Sequence, residues 1–131
     1  MMLEVKNFIM IKSYNDPEVY KLSYNLAMDI FLLSKKFPKE ELYSLTSQII
    51  RSSRSISSNV AEGWAKREFE NVFKQHLIHS LGSCAETHNW LSFAKDCQYI
   101  STEEYKSFNK ILDQIGKMLN KLYQNWKNYN K

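Results

Sequence analysis

Glycine and proline are scarce in this chain, at three and two among 131 residues. Sandwiches and barrels consume both at their many turns, so an all-β fold is excluded and an all-α fold is expected. Cysteine is as sparse. Cys84 and Cys97 lie 13 positions apart. On one continuous helix, at 1.5 Å per residue, that separates their backbones by roughly 20 Å. A bridge needs Cα atoms within about 7 Å, so the two read as reduced thiols of a cytoplasmic protein. No run approaches the ~18 apolar residues of a membrane span, and no membrane partner is expected. The apolar opening Met1–Ile11 is broken by Glu4. It has neither a basic start nor a small-residue cleavage site, so it does not read as a signal peptide.

What is present is ordinary for a globular domain: 44% apolar and 24% charged residues, which argues against disorder. The length suits one domain with one core. Net charge is +4, from 18 basic and 14 acidic side chains, which permits a phosphate-bearing partner without demanding one.

Residues 1–13 show no period and read as an N-terminal arm; residues 14–131 read as a four-helix bundle domain. Asp16-Pro17-Glu18 is a helix start, with a capping carboxylate, proline at the first helical position and an acid at the positive end of the dipole. Val19, Leu22, Leu26, Ile30, Leu33 and Phe37 form that helix's apolar stripe, and Pro38 ends it. Residues 39–44 read as a turn. The serine-dense stretch Arg51–Trp64 looks at first like a loop. Its apolar residues Leu42, Leu45, Ile49, Ile56 and Val60 recur at helical steps, which makes it a second helix running to about Gly63. So many small side chains suit a close approach by another helix.

A third helix is expected from about Glu68, its inner face traced by Phe69, Phe73, Leu77, Ser80, Leu81, Cys84, His88, Leu91 and Ala94. Gly82-Ser83 sits in its middle. A mid-helix glycine costs about 1 kcal/mol against alanine, so packing of Gly82 on the serine face is expected to compensate. Ser101-Thr102-Glu103-Glu104 is a capping box. Beyond it Tyr105, Phe108, Leu112, Ile115, Leu119, Leu122 and Trp126 mark a fourth helix. Ile111 and Met118 widen that stripe, and with Trp126 they are the expected contact between copies. Four helices with short joins make an antiparallel up-and-down bundle.

Arg51, Arg54, the block Asn59–Gly63 with its Glu62, and Leu81-Gly82-Ser83 with Glu86 together resemble the bacterial four-helix bundle family named after reading frames in 23S rRNA intervening sequences. The similarity runs from about Tyr14 to Trp126. The resemblance implies a bundle that assembles into a homopentameric ring with a central channel, with no established enzymatic activity. A related branch, the accessory variability proteins of diversity-generating retroelements, implies a basic pentamer that binds nucleic acid and a reverse transcriptase. The joint Trp64-Ala65-Lys66-Arg67-Glu68 departs from the Gly-Arg-rich joint of many members, and the chain is more acidic than a strongly cationic ring.

Several constellations could carry chemistry. Arg51, Ser55, Asn59 and Glu62 share one side of the second helix and could bind an anion. Their structural alternative is an ion pair of Arg51 or Arg54 with Glu62 or Glu86, with Asn59 bridging backbone. His76, His79, Cys84 and His88 have helical spacings that can chelate, but zinc wants three or four convergent ligands, so no metal or other cofactor is expected. Glu62 and Glu86 are a conceivable carboxylate pair for acid–base work. No nucleophile elbow, phosphate-cradling loop or HExxH helix is present, and the chain does not read as an enzyme. Lys106, Lys110, Lys117 and Lys121 line one face of the fourth helix, as a solvated surface or as a phosphate track multiplied by assembly. Lys66, Arg67 and Lys74 could extend it, and Tyr123, Trp126 and Tyr129 could stack bases or pack subunits. The expected role is a non-enzymatic scaffold that binds itself and RNA, DNA or a nucleic-acid enzyme. A purely protein-binding module is the alternative.

Overall fold

The computed structural model describes residues 16–126. Among these are four α-helices and no strand: α1 Asp16–Ser34, α2 Ser47–Ala65, α3 Glu70–Asp96 and α4 Thr102–Asn125. The expected arm, residues 1–13, lies outside the described residues, as does Tyr129.

The α1 stripe is buried as its period requires, through Val19, Leu26, Ile30, Leu33 and Phe37, with Leu22 half-buried. The helix itself stops at Ser34, before Phe37. Pro38 disfavours α geometry at the residue preceding it. The chain therefore tightens into three-residue turns, with Lys35, Lys36 and Phe37 amides bonding the carbonyls of Leu32, Leu33 and Ser34. What reads in sequence as a plain turn is a 3-10 turn, Lys39–Glu41, followed by a π turn, Leu42–Thr46.

One carboxylate ties this joint to the next. Glu41 accepts from Ser44 Oγ at 2.6 Å and from the Tyr99 hydroxyl at 2.9 Å. Those bonds hold its carboxyl below the usual range, and Glu41 in turn pushes the Tyr99 phenol up to about 12. Tyr99 belongs to the α3–α4 joint, where Gln98 takes a left-handed φ of 65°. The capping box forms as expected: Ser101 Oγ accepts from the Glu104 amide at 3.0 Å, and Glu104 accepts from the Ser101 amide at 2.9 Å. Glu104 also pairs with Lys36 at 2.6 Å, joining α4 to the end of α1.

The α2–α3 seam is built from small hydroxyl residues. Ser52, Ser80 and Thr87 are buried in it, while the buried Ser53 and Ser57 lie about 100° and 140° around α2 from Ser52, on the side of Arg54 and α1. Most satisfy themselves within their own helix: Ser52, Ser53 and Ser57 donate to the carbonyls of Ile49, Ile50 and Arg54. Across the seam, Thr87 Oγ1 donates to Ser52 Oγ at 2.9 Å, Ser83 Oγ to Ser55 Oγ at 2.9 Å, and Ser80 Oγ to the Ile56 carbonyl at 2.8 Å. Gly82 is not part of this seam, contrary to expectation. It is exposed, and a Cβ built there meets nothing within 4 Å. At 100° per residue it lies about 200° around the helix from Ser80, on the opposite side. The close approach belongs to Gly63 instead, where a Cβ would fall 2.8 Å from His76 Cβ and 3.3 Å from Phe73 Cδ1.

Beyond Gly63 the core ends in a ring cluster. Trp64 stands 6.1 Å from Phe73 and 5.5 Å from Trp126, and Phe73 stands 4.6 Å from Trp126. The Trp126 ring packs against its own chain and stays partly exposed, as do Ile111 and Met118, which are half-buried against the core. Gly63→Ala should destabilise the fold by about 1–3 kcal/mol, because the obstructing atom is rooted at the α3 backbone and the helices must part. Denaturant unfolding of wild type and variant checks this.

Candidate functional site

Two surfaces of the bundle carry most of the residues singled out by sequence. The first is the outer side of α2. Its Arg51 pairs with Glu86 of α3 and donates to Gln48 Oε1 at 2.9 Å, and Glu86 also accepts from the Trp90 indole at 3.1 Å. Of the two arginines, Arg51 therefore makes the ion pair. Arg54 lies instead over the Phe31 ring of α1, 5.5 Å from its centroid. Between them runs a shallow groove of about 670 Å³, bounded by Leu42, Thr46, Ile50 and, at its far end, Glu62.

Glu62 and Glu86 do not form a carboxylate pair. Glu86 sits opposite Arg51, and Glu62 is eleven residues further along α2, roughly 16 Å at 1.5 Å per residue. That exceeds the ~10 Å within which paired glycosidase carboxylates work.

Asn59 organises the other half of the seam. Its amide nitrogen donates to the Ser55 carbonyl at 3.0 Å and to Ser55 Oγ at 3.1 Å. Its oxygen is left facing His76 Nδ1 at 3.1 Å, so Nδ1 carries the imidazole proton. Nε2 is then the acceptor, and Lys66 Nζ stands 3.5 Å from it. This arrangement requires a neutral ring. Burial first, and then the Lys66 charge, hold the His76 pKa below its ordinary value against the opposing pull of Glu62. Sequence reading placed His76 among metal candidates and missed this link; its one signal was the small Gly63 facing it.

The candidate metal residues do not converge. His76 turns to Asn59, His79 to Gln75 at 3.1 Å and His88 to Asn109 at 2.6 Å. Burial pushes the Cys84 thiol up to about 12, far from a thiolate ligand. No group of three potential ligands occurs among the described residues.

The second surface is α4. Lys106, Lys110, Lys117 and Lys121 are all exposed and fall within one narrow sector, since their spacings of four and seven residues return to the same side. None makes an ion pair among the described residues, and α4 contributes no large exposed apolar side chain there. Beside Lys117, a groove of about 440 Å³ opens toward α3, bounded by His88, Asp113 and Asn120. The three other cations are committed locally. Arg67 lies over the Trp64 ring and donates to its carbonyl at 2.9 Å, Lys74 pairs with Glu70 at 3.5 Å, and Lys66 faces His76.

The His76 arrangement sets a pH dependence. A histidine whose folded pKa lies below its unfolded value binds more protons when unfolded. Stability is then complete above the unfolded pKa of about 6.5 and falls as pH drops through the window below it. Thermal unfolding of wild type should shift downward on acidification from pH 7 through that window. His76→Gln should flatten this part of the profile.

A family model described as 23S rRNA-intervening sequence protein matches residues 15–121. Among solved structures, one similar chain is described as a protein of unknown function from the S23 ribosomal protein family of Bacteroides thetaiotaomicron. It is 29% identical, with a TM-score of 0.77 over 84% of this chain and 98% of that one. None of the curated proteins matches. With four helices, the Asn59–Gly63 block at the tight seam and a match over most of its length, the chain belongs to the 23S rRNA-intervening sequence protein family.

Proposed function

We propose that this protein is a non-enzymatic scaffold of the cytoplasm, an antiparallel up-and-down bundle that assembles into a homopentameric ring and binds RNA or DNA through α4. The observation that carries the binding role is the row of Lys106, Lys110, Lys117 and Lys121, exposed together without ion pairs among the described residues. A ring repeats that row on each copy, and contacts too weak alone gain from being linked. Recognition of phosphates by lysine point charges is sequence-blind and falls with salt. The bundle topology is supported by cross-helix pairs whose numbers rise on α2 as they fall on α3: Ser52 with Thr87, Ile56 with Ser80, Asn59 with His76.

A second reading, a protein-binding module with no nucleic-acid contact, draws on the outer side of α2, where arginines and aromatic rings gather in the composition typical of interface anchors. A nucleic-acid enzyme is the partner that joins the two readings.

Fluorescence anisotropy of labelled RNA and DNA at low and moderate salt tests the proposal. Wild type should bind at low salt. Changing all four α4 lysines to glutamine should reduce the slope of log affinity against log salt by roughly 0.7–0.9 per lysine that meets a phosphate. Absence of binding at low salt removes the nucleic-acid role and leaves the protein-binding module.

A further inference from the structure

The apolar surface left open by the fold lies away from α4. On α1, Tyr24, Met28 and Leu32 follow at four-residue steps and are 39%, 43% and 57% exposed. On α3, Phe93 is 52% exposed and Gly82 lies on the same line, one step before Glu86. We propose that a second copy of this chain covers these residues: the α1 strip of one copy seats on the α3 strip of the next. The proposal rests on the ring reading and names the surfaces that close it.

Three observations converge on it. The first is direction. α1 and α3 each pack on both α2 and α4, so they occupy opposite corners of the bundle. Their strips nevertheless lean to the same side, toward α2. Phe31, beside the α1 strip, lies under Arg54 of α2; Trp90, whose ring is 5.8 Å from Phe93, donates to the Glu86 that holds Arg51. Two different patches on opposite shoulders of one chain make a head-to-tail contact, which closes into a ring when its rotation permits. In such a ring the α2 groove faces the axis and the α4 lysines face outward.

The second is Gly82. Glycine within a helix costs about 1 kcal/mol against alanine, and no neighbour among the described residues occupies the space left by the missing Cβ. A foreign helix laid along α3 would use that space. The third is charge. Cations border the α1 strip, with Lys35 and Arg54 both over Phe31. The α3 strip is bordered by Glu86 and Asp96, whose charges Arg51 and Lys95 meet within the chain, so its edge is close to neutral. An α1 strip laid on it meets no uncompensated like charge, whereas two α1 strips facing across a two-fold axis would repel.

The test uses the full chain and measures mass by light scattering, with circular dichroism as the check on folding. Leu32→Glu and Phe93→Glu should each reduce the assembly to single copies with unchanged helix content. Mixed together, they should yield particles of two copies and no larger. Each mixed pair has one intact contact, between α1 of the Phe93→Glu copy and α3 of the Leu32→Glu copy, and both its ends are blocked. Gly82→Ala should raise the melting temperature in the single-copy Phe93→Glu background, yet weaken assembly of the otherwise wild-type chain at least tenfold. Wild type that stays single at high concentration overturns the ring reading itself. An assembly that survives both glutamate variants, or is lost only with Ile111→Glu or Met118→Glu on the α4 flank, overturns the strip assignment while the ring stands. A mixture that stays single overturns the head-to-tail pairing.

Discussion

The structure depends on how closely α2 and α3 approach. Two helices separated by leucines sit roughly 10 Å apart; small side chains permit the shorter end of the range, near 8 Å. Here the permission comes from Ser52, Ser80 and Thr87, which are buried without being orphaned. A serine whose hydroxyl bonds the carbonyl one turn back presents little more than a methylene to its neighbour. The seam is therefore polar in composition and nearly apolar in what it exposes across the interface. The few bonds that do cross it, at Ser80, Ser83 and Thr87, fix its register. Gly63 completes it, since the backbone there runs against the root of the His76 side chain.

Much of this was legible in the sequence. The apolar period located all four helices, and the capping box of Ser101 and Glu104 formed as read. The density of small side chains on α2 marks a contact surface, and Ser52 is buried there against Thr87. What failed was the choice of glycine. Gly82 attracted attention because it breaks a long helix, but its angular position puts it away from Ser80; Gly63 looked like a mere helix end. Counting around the wheel from a buried residue would have separated the two. Ion-pair choice was less legible. Arg51 and Arg54 are three apart and both plausible for Glu86, and only the place of Phe31 on a different helix sends Arg54 elsewhere. The α1–α2 joint could not be read either, because its 3-10 and π turns answer to Tyr99, more than fifty residues away.

The polar residues divide between holding the fold and facing outward. Arg51, Glu86 and Trp90 form one bonded group along the seam and Asn59 with His76 another, and an anion would have to displace those partners to reach them. The α4 lysines bond nothing among the described residues and are available to a ligand at no cost in internal contacts. That contrast, more than net charge, separates a structural basic residue from an available one in this bundle.

The two extremities of the bundle are fastened by different chemistries. Where α1 meets α2 and α3 meets α4, the fastening is by carboxylates: Glu41 accepts hydrogen bonds from Tyr99 and Ser44, and Glu104 forms an ion pair with Lys36. At the other extremity it is a stack of indole and phenyl rings, Trp64, Phe73 and Trp126. Both carboxylates have depressed pKa values, through bonds from Ser44 and Tyr99 in one case and Lys36 in the other. Their contribution is intact near neutrality and disappears only in strong acid, when they take up protons. Acid therefore reaches the two extremities in turn: His76, against Gly63 and beside the aromatic knot, takes up its proton first, and the carboxylate-bound extremity loosens only at lower pH.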